Sequence, residues 1–191
     1  MEPPSSPSIG LGLASVVILV LANAFFVAAE FALVGARRTR LDELAGAGDG
    51  KARLARRAVQ SLDRYISATQ LGITLASLGL GWIGEPALAG LIAGAFSWLP
   101  TSFAVIATHG VASAIAFIFI TILHIILGEL VPKAVALIYP EEVSRWVSAP
   151  LIGFAWLMSW PIALLNGTAN RLLRLMGIAP PGEHERLHSP E

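Results

Sequence analysis

The stretch Ile125–Lys133, which reads Ile-Ile-Leu-Gly-Glu-Leu-Val-Pro-Lys, ends a long apolar run with a carboxylate, a proline and a lysine. No Asp, Glu, Lys or Arg stands between Pro86 and Gly128. A charge inside a membrane costs about 2.5–3.5 kcal/mol on insertion scales, so it is usually functional and partnered. Glycine and proline free backbone carbonyls, and carboxylate and carbonyl oxygens suit a hard cation. Glu129 is therefore a candidate ion ligand.

The composition of the whole chain is that of a membrane protein. Its 191 residues are 55% hydrophobic and only 14% charged, whereas soluble domains average about 25% charged residues. The net charge is zero, so no basic excess indicates a nucleic-acid partner. Cysteine is absent, which excludes disulfides, thiolate metal sites and cysteine nucleophiles. The four histidines lack the spacing of zinc ligands.

Three segments are long and apolar enough to cross a bilayer. Ile9–Ala29 holds 21 residues without a charge, enough for a hydrocarbon core of about 30 Å. We predict transmembrane helices over about 9–36, 65–98 and 103–137. The proline- and serine-rich residues 1–8 are expected to form a disordered tail. A signal peptide is the alternative for the first segment, but it has no basic residue ahead of the apolar run.

The charged loop after the first segment sets the orientation. Residues 37–64 contain eight basic and four acidic residues, which places them in the cytoplasm by the positive-inside rule. The N-terminus is then outside the cell. Leu54, Ala58 and Leu62 recur at helical spacing, so residues 51–63 are predicted to form a surface helix.

Residues 146–170 leave two topologies open. All 25 are uncharged, so a fourth span is one interpretation. Pro150 and Pro161, however, divide the segment into pieces too short to cross alone, and a fourth crossing would export Arg171 and Arg174. We favour a re-entrant or interfacial segment.

The predicted fold is therefore an all-α membrane protein with three transmembrane helices and a cytoplasmic juxtamembrane or re-entrant helical belt. The belt covers about 140–176, and its first helix is predicted to start at Tyr139–Glu142. The C-terminus is expected to be cytoplasmic. Residues 179–191 are expected to link the transmembrane domain to a regulatory domain that lies beyond this chain.

Polar residues recur inside each predicted span. The first span carries Asn23 and Glu30, seven residues apart and thus on one helical face. The other two spans carry further polar residues, namely Gln70, Thr74 and Ser77 in the second and Thr121, His124, Gly128 and Glu129 in the third. His124 and Glu129 share a face only if the helix is locally widened near Gly128.

Structural roles are the alternative for these residues. Asn, Gln, Ser and Thr often join membrane helices by hydrogen bonds. Glu129 lies four residues before Lys133, an ordinary spacing for a helical ion pair. Glu30 has Arg37 and Arg38 within two turns. An intramembrane enzyme is disfavoured, because the sequence lacks GxSxG, HExxH and paired aspartates in its spans. We expect no enzymatic activity.

Three segments in this order resemble the DUF21 transmembrane module of the CorC/cyclin M (CNNM) family. They are Asn23–Leu33, Ser67–Trp82 and Gly128–Lys133, which ends in the motif Gly-Glu-Leu-Val-Pro-Lys. The resemblance covers residues 9–178. It implies a homodimeric magnesium transporter in the inner or plasma membrane, generally linked to Mg²⁺ efflux and in some members proposed to be coupled to Na⁺. It also implies cytoplasmic CBS domains that bind ATP.

The family's ion site lies between the spans and carries over residue by residue. The resemblance implies metal ligands at Asn23, Ser77, Gly128 and Glu129. Candidate residues of the ion pathway are Glu30, Gln70, Thr74 and His124, and Pro132 and Lys133 belong to the structural motif. The second span reads Gly72-Ile73 where other branches have Gly-Asn, which leaves that helix's ligands open. The alternative function is a non-transporting sensor or scaffold that anchors the regulatory domain.

Overall fold

The computed structural model describes residues 6–95 and 112–178, and within them the regular structure is helical, with no strand. The all-α prediction is thereby confirmed. The elements are α1 Ser6–Gly35, α2 Arg38–Gly46, α3 Gly50–Gln60, α4 Leu62–Gly79, a first π-helical segment Leu80–Gly84, α5 Glu85–Ala95, α6 Ala112–Leu123, a second π-helical segment His124–Leu130, α7 Val131–Ile138, α8 Pro140–Leu157 and α9 Ser159–Leu175.

Three helical stretches of the described residues are long and apolar enough to cross a membrane: Gly10–Gly35, Leu62–Ile92 and Ser113–Ile138. They correspond to the three predicted spans, and the bent pair α8–α9 adds a fourth only if it crosses as one broken span. Helix α1 begins at Ser6, inside the predicted tail, since a proline such as Pro7 fits the first turn of a helix. Three parts of the chain lie outside the described residues. They are residues 1–5 of the tail, residues 96–111 between α5 and α6, which include the predicted end of span two and start of span three, and the linker 179–191.

Helix α1 is the centre of the bundle and contacts α4, α7, α8 and both π-helical segments. Two apolar clusters surround it. The first lies in the half of the bundle that holds the start of α1, and its buried members are Val16, Val20, Leu80, Leu88, Ala116 and Ile120. The second joins the other end of α1 to α3, α4 and α8, and includes Ala29, Leu33, Ala58, Ala68, Leu151 and Ala155. Small side chains in this second cluster allow the helices to approach closely.

Helix α1 packs tightly on α4 at Gly72. A Cβ atom on Gly72 would lie 2.5 Å from the ring of Phe26, so only glycine fits there without a shift. Phe26 in turn packs on Phe154 of α8, with ring centroids 4.7 Å apart. The first span is thus wedged between the second span and the belt.

The predicted surface helix over 51–63 is confirmed as α3, although it ends earlier, at Gln60. Asp49 caps its start, because the carboxylate accepts hydrogen bonds from the backbone N–H groups of Lys51 at 2.8 Å and Ala52 at 3.1 Å. The predicted helix start near Pro140 is confirmed as well.

The expected break of the belt at Pro150 is wrong. Pro150 lies inside α8, and the chain turns instead at Met158, where α8 and α9 meet at 78°. A proline removes one helical hydrogen bond, but the buried Val147 and Leu151 hold α8 against the bundle on either side of it. Pro161 lies in the first turn of α9, where it is tolerated. The sharp bend fits a broken span or a re-entrant segment equally well.

Ion pairs attach the start of α8 to the charged segment 37–64. Arg37 Nε contacts Glu141 Oε1 at 2.9 Å, and Arg145 Nη2 contacts Asp49 Oδ2 at 2.5 Å. Lys51 Nζ lies 3.1 Å from the centroid of the Trp146 ring. The Arg37 guanidinium holds the pKa of Glu141 below its ordinary value. Hydrogen bonds from Ala52 and Lys51, with help from Arg145, lower the pKa of Asp49.

Candidate ion site among the spans

The candidate site is built around Asn23, which is buried in the middle of α1 with 2% of its surface exposed. Its Nδ2 donates a hydrogen bond to the backbone carbonyl of Gly128 at 3.0 Å. A buried amide is costly unless its polar atoms are paired. The Asn23 side chain therefore joins the first span to the third at a defined point.

The second span reaches the same place through Ser77. Ser77 Oγ donates to Asn23 Oδ1 at 3.3 Å and lies 3.5 Å from His124 Nε2. Asn23, Ser77, His124 and Gly128 thus form one polar cluster, with at least one member from each span. We call these four residues the Asn23 cluster.

The second π-helical segment explains how the third span presents the Gly128 carbonyl. Residues His124–Leu130 are π-helical, so the helix is locally widened around Gly128. A Cβ atom on Gly128 would lie 2.8 Å from His124 Cδ2 and 3.2 Å from Asn23 Nδ2. Any larger residue would push the spans apart, so glycine is needed for this contact.

Glu129 lies outside the Asn23 cluster. Its side chain is exposed, and within residues 6–95 and 112–178 it has no ion-pair partner within 4.0 Å. The alternative of a Glu129–Lys133 ion pair is therefore not observed. Lys133 Nζ instead lies over the ring of Phe31, 4.5 Å from its centroid. Pro132, between them, begins α7 and is half-buried.

Glu30 lies about two turns from Asn23, towards the belt. It is half-buried, and Thr69 Oγ1 donates to its Oε2 at 3.5 Å. Neither nearby arginine pairs with it, because Arg37 binds Glu141 and Arg38 Nη2 donates to the carbonyl of Val59. The spacing of Glu30 pointed to an arginine, but only the packing of α1 on α4 shows that Thr69 is its neighbour.

Gln70 and Thr74 do not join the Asn23 cluster. Both are exposed on the surface of α4, and the Thr74 hydroxyl donates to the Gln70 carbonyl at 2.8 Å. Thr121 likewise donates to the carbonyl of its own helix, at Phe117, over 2.7 Å. The polar stripe of the second span therefore contributes Ser77 alone.

A cavity of about 240 Å³ adjoins the Asn23 cluster between the second and third spans. Ser77 and His124 lie on its wall together with Thr121, and the rest of the lining includes Leu80, Gly81 and Phe117. This cavity is large enough for several water molecules, each of which occupies about 30 Å³ in the liquid.

A family model described as the cyclin M transmembrane N-terminal domain matches residues 14–191. The chain belongs to this cyclin M family. The resemblance seen in the three sequence segments is thereby confirmed. The family consists of membrane domains and is not a known enzyme family, so this cyclin M domain is a multi-pass membrane protein.

Relatives of this cyclin M domain occur in several bacteria. It is 44% identical over 174 residues to UPF0053 protein YhdT of Bacillus subtilis, an alignment that covers 91% of this chain and 37% of the relative. It is 40% identical over 184 residues to YugS of the same organism, with 95% and 42% covered. Uncharacterized protein Rv1841c of Mycobacterium tuberculosis is 40% identical over 166 residues, with 87% and 46% covered. The chain thus spans less than half the length of these relatives.

Three of the four members of the Asn23 cluster, all except His124, carry oxygens that suit a hard cation. Within the described part of this cyclin M domain, no group of three or more His, Cys, Asp or Glu side chains is arranged to hold a metal ion. The cluster instead offers the amide oxygen of Asn23, the hydroxyl of Ser77 and the carbonyl of Gly128. Neutral oxygens of this kind are ligands of Mg²⁺, Ca²⁺ and Na⁺ rather than of zinc or copper.

Proposed function

We propose that this cyclin M domain transports Mg²⁺ and holds a largely dehydrated ion between its three spans. The observation that carries the proposal is the hydrogen-bonded meeting of Asn23, Ser77 and the Gly128 carbonyl. Oxygen-bearing groups from every span converge there, and polar groups in a membrane interior are expensive unless they have a function or a partner. A site shared by all spans also changes when the spans tilt, as transport requires.

The Asn23 cluster needs only a small rearrangement to receive the ion. Asn23 Nδ2 faces the Gly128 carbonyl in the structure. A half-turn of the amide about its last torsion would bring Oδ1 to that side, so that both oxygens face an incoming cation. Mg²⁺ prefers six oxygens at about 2.0–2.1 Å. Asn23, Ser77 and Gly128 would supply neutral oxygens, with water completing the shell.

Glu129 supplies the charge in this proposal. It follows Gly128 directly, and its exposed carboxylate has no cationic partner within the described residues. Such a carboxylate in a transmembrane segment is costly, so a divalent ion beside it is stabilising. One carboxylate neutralises half of a dication, which keeps binding weak enough for the ion to leave.

The remaining parts of the proposal concern the path and the assembly. The cavity beside His124 and Ser77 would give access from one side, and Glu30 would attract the ion towards the belt. Na⁺ is the proposed coupling ion, and efflux the proposed direction. We further propose a homodimer in the inner or plasma membrane, with the N-terminus outside and the belt in the cytoplasm. ATP-binding CBS domains would follow this chain.

One observation favours the alternative, a non-transporting scaffold: the Glu129 carboxylate lies away from the Asn23 cluster. Magnesium flux into liposomes that contain this chain alone separates the two functions. We expect Mg²⁺-dependent flux in the wild type and its loss in Glu129→Gln. Glu142→Gln is the matched control, because Glu142 is an exposed carboxylate on the belt helix α8. Flux that persists in Glu129→Gln removes this residue from the mechanism, and no flux in the wild type favours the scaffold.

A further inference from the structure

A second cavity lies far from the Asn23 cluster, where the start of α4 meets the belt helix α9. Its volume is about 300 Å³. Each helix contributes two polar side chains one turn apart, and the polar lining consists of Asp63 and Ser67 on α4 and Asn166 and Asn170 on α9. Ser67 Oγ lies 3.0 Å from Asn166 Oδ1 and 2.9 Å from the Asp63 carbonyl, with both oxygens as acceptors. The contact between Ser67 and Asn166 joins the two helices beside the cavity, whereas the one to Asp63 lies within α4.

The charge in this cavity comes from one carboxylate. Of the described residues that line it, Asp63 alone carries an acidic or basic side chain. Its carboxylate is exposed, and no cationic side chain in the described part of the chain lies within 4.0 Å of it. The cavity therefore suits a ligand that brings a positive charge.

The amide groups of Asn166 and Asn170 favour a ligand that also carries a hydrogen-bond acceptor. Because Asn166 Oδ1 is occupied by the Ser67 hydroxyl, its Nδ2 remains as a donor for an acceptor on the ligand. Asn170 lies one helical turn further along the same face. The other walls are hydrocarbon, from Ile66, Ala169 and Leu173. A bare metal ion prefers an all-oxygen shell, so this mixture fits a zwitterionic organic group with an apolar tail.

The surroundings place that ligand at the membrane surface. Helix α9 exposes Trp160 and several leucines, namely Leu164, Leu165, Leu172 and Leu175. Tryptophan is enriched where a protein crosses the headgroup level. A helix with large exposed apolar side chains and a polar cavity beside it is the arrangement expected at the lipid interface.

We propose that this cavity binds the headgroup of phosphatidylethanolamine. The primary ammonium pairs with the Asp63 carboxylate, and the phosphate accepts hydrogen bonds from the amides of Asn166 and Asn170. The glycerol region lies against Ile66, Ala169 and Leu173. Phosphatidylcholine, whose trimethylammonium has no N–H to donate, binds more weakly, and phosphatidylglycerol is repelled by Asp63. The proposal does not depend on the ion that the spans carry.

The test is native mass spectrometry of the whole chain with equal amounts of the three lipids. We expect phosphatidylethanolamine adducts to exceed the others in the wild type. Asp63→Asn removes the ammonium partner and is expected to weaken phosphatidylethanolamine binding about tenfold, since hydrogen bonds to charged groups are stronger than neutral ones. Asp42→Asn is the matched control, because Asp42 is an exposed aspartate whose 3.5 Å ion pair with Arg56 is remote from the cavity lining.

A second variant guards against loss of folding. Asn166→Asp keeps an acceptor for the Ser67 hydroxyl but replaces the amide donor with a charge that repels phosphate, so it is also expected to weaken phosphatidylethanolamine binding. Gel filtration and the thermal midpoint check that both variants fold. Equal adducts of all three lipids in the wild type would overturn the proposal, as would wild-type binding in Asp63→Asn. Stronger phosphatidylethanolamine binding in Asn166→Asp would overturn it as well, because it would show that the cavity recognises only a positive charge and not the phosphate.

Discussion

The side chain of Asn23 donates a hydrogen bond to the carbonyl of Gly128 across 105 residues of sequence. This contact fixes the first span against the third at the point where the third span is π-helical. It also holds the Gly128 carbonyl in place next to Ser77 and His124. The stability of the bundle and its proposed ion chemistry therefore depend on the same two residues, which makes them the first targets for mutation.

Two substitutions of Asn23 distinguish its role as a hydrogen-bond donor from its proposed role as an ion ligand. Asn23→Leu removes the side chain that bonds to both the Gly128 carbonyl and the Ser77 hydroxyl, so we expect a loss of about 1–3 kcal/mol in the free energy of unfolding. Asn23→Asp keeps an oxygen for the ion but removes the donor. In a thermal-shift series with MgCl₂, we expect Asn23→Leu to lose the stabilisation by Mg²⁺ and Asn23→Asp to retain it. If both variants lost the stabilisation by Mg²⁺ to the same extent, Asn23 would act only through helix packing.

Gly128→Ala tests the close approach of the third span. The new methyl group would lie 3.2 Å from Asn23 Nδ2 on the first span and 2.8 Å from His124 Cδ2 on its own segment, and overpacking of this kind costs about 1–3 kcal/mol. The control is Gly153→Ala in α8, where nothing lies within 4 Å of the new methyl group. We expect that control to stabilise the helix by about 0.5–1 kcal/mol. The stability of both variants is measured by denaturation in detergent, monitored by far-UV circular dichroism. If both substitutions changed the stability in the same direction, the tight packing at Gly128 would be contradicted.

Ser77→Ala probes the contribution of the second span. It removes a hydroxyl that contacts Asn23 and His124, so we expect an affinity for Mg²⁺ several-fold lower than that of the wild type. Thr74→Val is the matched control, because its hydroxyl bonds only to its own helix, at Gln70, on the exposed side. Isothermal titration with MgCl₂ compares the two. A Thr74→Val effect as large as that of Ser77→Ala would shift the site to the polar stripe on the surface of α4.

The belt is expected to loosen in acid. Because the pKa values of Glu141 and Asp49 are lowered by their partners, these carboxylates stabilise the folded state at neutral pH. That stabilisation is complete above their ordinary pKa values of 4.5 and 3.8, and it is lost as the pH falls through the lower values of the folded protein.

The measurement is the thermal midpoint from pH 7 down to pH 3. We expect the double variant Arg37→Gln, Arg145→Gln to have a lower midpoint at pH 7 and a smaller fall in acid than the wild type. Arg53→Gln is the control, because Arg53 is exposed and donates only to the carbonyl of Gly48. Parallel pH profiles for the double variant and the wild type would contradict a role for these pairs.

Much of the fold was predictable from the sequence because lipid imposes simple rules. Uncharged runs of 20 residues or more predicted the three spans, since charges are excluded from hydrocarbon. The basic excess in residues 37–64 and the helical spacing of Leu54 and Ala58 predicted the surface helix α3. The prediction failed at Pro150, because tertiary packing of Val147 and Leu151 keeps α8 continuous despite a lost hydrogen bond.

The sequence by itself determined that Asn23, Glu30 and Glu129 are costly inside the membrane, and its resemblance to the cyclin M family added Ser77 and Gly128 to the candidate ligands. Only the tertiary structure decided which of them meet. The π-helical segment shifts the register of the third span, so that the Gly128 carbonyl faces Asn23 while Glu129 lies outside the cluster. The reason is that spacing along a chain predicts neighbours on one helix, whereas contacts between helices depend on how closely their backbones can pack.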